Sequence, residues 1–159
     1  MSEKQNLQNR YAPGNRCYGC GPSNEEGFQI HSIPVGEDPF GDVLLDWTPQ
    51  PHHLAFEGML NGGVIGTLMD CHSNWAAAYH LVLRDGLDAP PCTVTAEFHV
   101  KLKRPTPIDR PVHVVARTVK SEGNWVTVDA TMTSGDEVTA TCRGVFVAVK
   151  PGHPAYHRW

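Results

Sequence analysis

The sequence predicts an α+β domain of two layers, with one long central helix wrapped by an antiparallel sheet of five to six strands. Three observations carry that expectation. One proline-free stretch, from Asn61 to about Arg84, repeats apolar residues at helical spacing. Six other stretches are short and strand-like. The 15 glycines and 13 prolines fall mostly between these stretches and end them, which excludes a helical bundle. A helix with one apolar stripe needs a single surface to cover it, and a sheet supplies that surface.

Each element follows from its own pattern. Phe28 to Ile33 alternates apolar and polar residues, and Asp42 to Trp47 reads as a second strand. In the helical stretch, Val64/Ile65, Leu68/Met69, Trp75/Ala76, Tyr79 and Val82/Leu83 form the stripe. Asn61 is its N-cap, Asp85-Gly86 its stop, and Arg84 suits the negative end of the helix dipole. Residues 92–104 alternate strictly, with Cys92, Val94, Ala96, Phe98, Val100 and Leu102 on one face. Three more strands are expected at 111–121, 125–133 and 137–149, joined by Ser121-Glu122-Gly123-Asn124 and Ser134-Gly135-Asp136. Residues 1–16 read as a flexible N-terminal tail, 17–150 as one domain, and 151–159 as a C-terminal tail.

Composition narrows the function. Thirteen Lys and Arg against seventeen Asp and Glu leave a net charge of -4, which argues against binding nucleic acid through bulk positive charge. No apolar run approaches the ~18 residues of a membrane span. The polar start has no apolar signal segment, and the five cysteines are an odd number. Reduced thiols in a cytoplasmic protein are the expectation.

The chemistry is expected at the start of the helix. Asn61-Gly62-Gly63 places bare backbone where unpaired amides carry partial positive charge, suited to an oxyanion. The same glycines also serve a plain turn. Asp70 follows two turns on, among the small or polar residues Gly63, Gly66, Thr67, Ser73 and Asn74.

The segment from His53 to Asp70, HLAFEGMLNGGVIGTLMD, resembles the signature of the PaaI-like acyl-CoA thioesterases of the hot-dog fold. The upstream CYGCGPSNEEGF and the Arg104-Pro105 end of the long strand are similar as well. The resemblance spans residues 15–150. It implies that Asp70 is the catalytic carboxylate, as base or nucleophile. It implies that Gly62 and Gly63 offer amides to the thioester oxygen, and that Thr95 helps hold the water. No cofactor is implied beyond the CoA of the substrate. Asn61 stands where the family has histidine: its amide can donate a hydrogen bond but cannot titrate. Cys71 replaces an acidic residue, and Ala55 a polar one.

Spacing adds a constraint. Gly63 and Asp70 are separated by about 10 Å along a helix axis, too far to meet at one carbonyl. A two-fold partner with its helix antiparallel brings Asp70 of one chain to Gly62 and Gly63 of the other. The resemblance implies the same homodimer, with a dimer of dimers left open.

His53, Phe56 and Met59 are the residues placed to border an acyl channel, although surface exposure is the ordinary state of His52 and His53. Lys101, Lys103, Arg104, Arg117 and Arg143 are candidates for the CoA phosphates, or else ordinary solvated charges. His72 reads as packing. Cys17 and Cys20 form a CxxC knuckle with His31 as the only His or Cys nearby in sequence. That is too few ligands for structural zinc, so no metal is expected and the segment reads as a packed loop near the pocket mouth. Competing functions are a non-catalytic acyl-CoA binding module and a hydratase; Asn61 in place of histidine weakens the second.

Overall fold

The computed structural model describes residues 5–159. A short helix, α1 (Leu7–Tyr11), precedes strands β1 (Ile33–Pro34) and β2 (Asp42–Trp47). A turn of 3₁₀ helix, Pro51–His53, leads to a small hairpin, β3 (Leu54–Phe56) and β4 (Met59–Leu60). The long helix α2 (Gly62–Asp85) comes next, and then β5 (Thr93–Leu102), β6 (Val112–Glu122), β7 (Trp125–Ser134) and β8 (Glu137–Ala148). The main sheet is antiparallel throughout, in the order β1-β2-β6-β7-β8-β5. One helix wrapped by such a sheet is the expected hot-dog arrangement.

Local sequence explains the helix ends. The Asn61 side chain accepts hydrogen bonds from the Gly63 and Val64 amides at 2.8 and 3.2 Å. At the other end Gly86 has φ 61°, a left-handed C-cap that bulkier residues resist. Alternation along β6 and β7 sends Val112, Val114, Ala116, Val126, Val128, Ala130 and Met132 inward. They meet Leu68, Trp75 and Leu81 of α2, with Phe146 of β8, in one core.

The helix is more deeply covered than a single stripe requires. Every residue from His72 to Val82 is buried, polar ones included. The cover on the side away from the sheet comes from segments expected to be tails. Residues 7–16 are not a flexible tail, because Leu7 and Gln8 are fully buried and Leu7 donates its amide to Ser32 O at 2.9 Å. Asn6 caps α1, its side chain accepting the Asn9 amide, and residues 1–4 of that expectation lie outside the described residues. At the other terminus, Trp159 stacks on Trp75 with ring centroids 4.6 Å apart, and its indole N–H reaches Pro90 O at 3.3 Å.

The stretch 28–33 is corrected too. Only Ile33 enters a strand, although the alternation is real: Phe28, Ile30 and Ser32 are buried and His31 is exposed. Gln29 has φ 53°, which breaks the extended path. The Phe28 and Ile30 amides pair with Tyr18 O and Gly19 O rather than with the sheet.

A buried polar chain ties these parts together. Gln8 Nε2 donates to Ser32 Oγ at 2.9 Å, and the Ser32 amide donates to Gln8 Oε1 at 2.7 Å. The Ser32 hydroxyl donates to His72 Nδ1 at 2.8 Å, and His72 Nε2–H donates to Val43 O at 3.0 Å. This fixes His72 as the neutral Nε2–H tautomer. Its role is packing, as the sequence suggested.

Burial lowers the His72 pKa from 6.5 to about 4, with the Val43 carbonyl pulling weakly the other way. The folded state therefore favours neutral His72. Its contribution is present above pH 6.5 and is lost as pH falls toward 4. The shift corresponds to about 3 kcal/mol. Denaturant unfolding at pH 7 and pH 4 checks this: His72→Gln is expected to start less stable, and to lose about 3 kcal/mol less than the wild type between the two pH values.

Candidate active site

Asp70 lies on α2, half-buried, and faces β5. The Thr95 hydroxyl donates to Asp70 Oδ1 at 2.6 Å. A break in the strand makes this contact possible. The pairing of β5 with β8 slips between Thr95 and Glu97, leaving Ala96 as an extra residue. Before the bulge, odd-numbered side chains face the helix: Thr93 Oγ1 donates to Asn74 Oδ1 at 2.7 Å, and Thr95 meets Asp70. After it, even-numbered ones do: Phe98 and Leu102 lie near Gly66 and Gly62. Strict alternation over 92–104 put Thr93 and Thr95 on the face opposite Phe98 and Leu102. The bulge corrects that, since one extra residue reverses every later side chain.

Burial pushes the Asp70 carboxyl above the ordinary range, and a charge on Cys17 adds to the rise. The Thr95 hydrogen bond and the positive charge of Arg158 pull it back. Arg158 was not anticipated from sequence. It is brought in by the terminal segment, where its guanidinium donates to Thr93 O at 3.0 Å.

The helix start is partly occupied. Asn61 Oδ1 holds the Gly63 and Val64 amides, and Asn61 O holds that of Ile65. The Gly63 amide is thus engaged by the cap. Among the described residues, Gly62 N–H is the first-turn amide with no acceptor. The Asn61 NH₂ group is also free to donate. Beside this end lies a largely apolar groove of about 290 Å³, bordered by Ala55, Phe56, Met59, Gly62, Leu102 and Arg104. Gly62 and Asp70 stand eight residues apart on one rod, about 12 Å along its axis.

The other expected residues separate into groups. Phe56, Met59, Lys103 and Arg104 border the groove. His53 does not: its ring packs on Phe28 and Trp47 at 5.2 and 5.0 Å, its Nδ1 accepts the Gln50 amide, and its carbonyl accepts the Asn61 amide. It shapes the approach to the helix. Lys101 lies on the outer face of the sheet with His99 and Arg143. Arg104, Arg117 and Arg143 are paired with Glu137, Asp42 and Asp129. Among the described residues, Lys101 and Lys103 have no ion pair. The Cys17–Cys20 loop packs on α2 beside Asp70, and the sulfurs of Cys17, Cys20 and Cys71 lie within 4.8 Å of one another. Cys71 was missed as their neighbour because 54 residues separate it from Cys17.

Residues 57–141 match the family model of the thioesterase superfamily. The chain belongs to the thioesterase superfamily. No curated protein matches it in sequence. Among solved structures, it is similar to a thioesterase superfamily protein from Shewanella loihica PV-4, at 24% identity and TM-score 0.62, covering 81% of this chain and 98% of that one. A conserved protein from Pseudomonas aeruginosa aligns at 21% identity and TM-score 0.64, covering 77% and 90%. The E. coli PaaI protein, from the phenylacetic acid degradation operon, aligns at 14% identity and TM-score 0.64, covering 77% and 81%. At these identities the likeness establishes the shared fold. No helix of the described residues is long and apolar enough to cross a membrane.

The cap makes a separable demand on Asn61. Asn61→Ala removes the acceptor and is expected to cost about 1 kcal/mol in denaturant unfolding. Asn61→Asp keeps the acceptor, adds a charge that suits the helix dipole, and is expected to match or exceed wild-type stability.

Proposed function

We propose that the chain hydrolyses an acyl-CoA thioester to the free acid and CoA, at sites shared across a two-fold homodimer. One observation carries this reading: a half-buried carboxylate oriented by a hydroxyl, on the same helix as a free N-terminal amide that opens on an apolar groove. Membership of the thioesterase superfamily supports the reaction class.

Asp70 of one chain takes a proton from water as the oxygen attacks the carbonyl carbon, or attacks that carbon directly to form a mixed anhydride that water then hydrolyses to the free acid and the regenerated carboxylate. Thr95 holds the carboxylate at the attacking angle. Charge develops on the carbonyl oxygen, where Gly62 N–H and the Asn61 NH₂ of the partner chain stabilise it. The C–S bond then breaks, and the departing sulfur takes a proton to give CoA. The groove at the helix start takes the acyl chain, and Lys103 at its edge is the cation best placed for a CoA phosphate.

The dimer rests on the spacing of α2 and on one edge of the sheet. β5 ends the sheet, so one side of its backbone is unpaired. Phe98, Leu102 and Phe56 are 41%, 56% and 60% exposed around it. A second copy covers this patch and delivers the other half of each site.

Asp70→Asn is expected to retain the fold and lower kcat on a panel of acyl-CoA thioesters by about 10²–10⁴-fold. Unchanged turnover removes Asp70 from the reaction. Gly62→Pro tests the other end. Proline is accommodated at the first helical position, and Asn61, at ψ 134°, already has the extended conformation that precedes proline. It deletes the free amide while leaving the cap in place. A loss of about 10²–10³-fold in kcat with near-wild-type stability is expected. The engaged Gly63 amide favours one competing reading, acyl-CoA binding without turnover. Tight binding of an acyl-CoA by the wild type, with no CoA released, establishes that reading instead.

A further inference from the structure

The loop that packs beside Asp70 brings three thiols into one cluster. Cys17 and Cys20 come from the knuckle Cys17-Tyr18-Gly19-Cys20-Gly21, and Cys71 comes from α2. Cys17 Sγ and Cys71 Sγ are 3.9 Å apart, and all three sulfurs lie within 4.8 Å of one another. Sulfurs bound tetrahedrally at the usual zinc–thiolate length of about 2.3 Å lie about 3.8 Å apart. The arrangement therefore needs little movement to close on an ion. A disulfide, by contrast, draws two sulfurs to about 2.05 Å and leaves the third without a partner.

Two further observations point the same way. The knuckle fits against the helix only through a glycine, since a Cβ on Gly19 falls 2.5 Å from Cys71 Sγ. One sulfur also receives an N–H donor, an environment that stabilises a thiolate and recurs around metal-bound sulfur. Trp75 Nε1–H points at Cys20 Sγ at 3.3 Å. Cys20 is 1% exposed, so this donor does not compete with water there.

We propose that Cys17, Cys20 and Cys71 form a three-thiolate binding site for Zn²⁺, clamping the N-terminal loop to the helix one residue beyond Asp70. Three protein ligands leave one position for a small ligand such as water. Binding three thiols releases three protons per ion, so affinity falls as pH falls. The soft sulfur set favours zinc over hard cations such as Mg²⁺ or Ca²⁺. The site stands apart from the thioester reading: zinc binds whether or not Asp70 is catalytic.

Metal analysis of protein purified under reducing conditions, without chelator and without a histidine tag, tests this. About one zinc per chain is expected, falling at least tenfold in Cys17→Ser and in Cys71→Ser and unchanged in Cys92→Ser. Cobalt titration of the metal-free wild type gives a second readout that needs no variant to fold. Strong thiolate-to-cobalt absorption in the near ultraviolet, with intense visible bands of a tetrahedral ion, supports the site. Three results overturn it. One is a wild type that shows no thiolate band and keeps no zinc after gel filtration. Another is zinc held equally well by Cys17→Ser, which places it elsewhere, for example on the C-terminal histidines. The third is a freshly purified chain two protons light by intact mass, because the cluster is then a disulfide.

Discussion

A single rigid helix carries both ends of the proposed chemistry, and its rise of about 1.5 Å per residue holds them apart. That constraint organises the rest of the molecule. Asp70 is useful only if something orients it, and the bulge at Ala96 turns Thr95 toward it. The free Gly62 amide is useful only at an open helix end, and the β3–β4 hairpin together with Leu102 forms a groove there rather than a lid. Neither end reaches the other within one chain. In the proposed dimer, a second copy on the exposed edge of β5 makes up the difference.

The same helix explains the burial pattern. A sheet covers one side of α2. The other side would leave Trp75 and His72 in water without the N-terminal helix, the 28–32 segment and the returning C-terminus. The Gln8–Ser32–His72–Val43 chain pairs the buried polar groups of Gln8, Ser32 and His72 with one another and with the sheet. It also fixes the loop that presents Cys17 and Cys20 to the helix. The surroundings of Asp70 thus depend on packing contributed by residues far away in sequence.

Much of this was legible in the sequence, and the failures share a cause. Helix α2 and strands β2 and β5 to β8 follow from local periodicity, capping and turn residues. Asp70 and the Gly62 end are legible from glycine placement and from the resemblance. What escaped was pairing at long range. Phe28 to Ile33 alternates as a strand does, but its backbone partners are Tyr18 and Gly19. The Ala96 bulge leaves no mark in an alternating string, because an inserted alanine reads as one more position. Leu7 and Gln8 look solvated in a polar stretch until Ser32 is placed beside them. Cys71 joins Cys17 and Cys20 only once the loop is folded onto the helix. Nothing in the composition of residues 151–159 signals that Trp159 returns to Trp75.

The central claim is that one working site needs two chains, and mixing two damaged chains tests it most directly. Asp70→Asn lacks the carboxylate but keeps the amide, whereas Gly62→Pro lacks the amide but keeps the carboxylate. Refolding equal amounts together gives half mixed dimers, each with one site built wholly from intact parts. Recovery of about a quarter of wild-type activity is expected, from two preparations that are each nearly inactive. Activity no greater than the average of the two separate preparations contradicts the shared site and places the chemistry within a single chain.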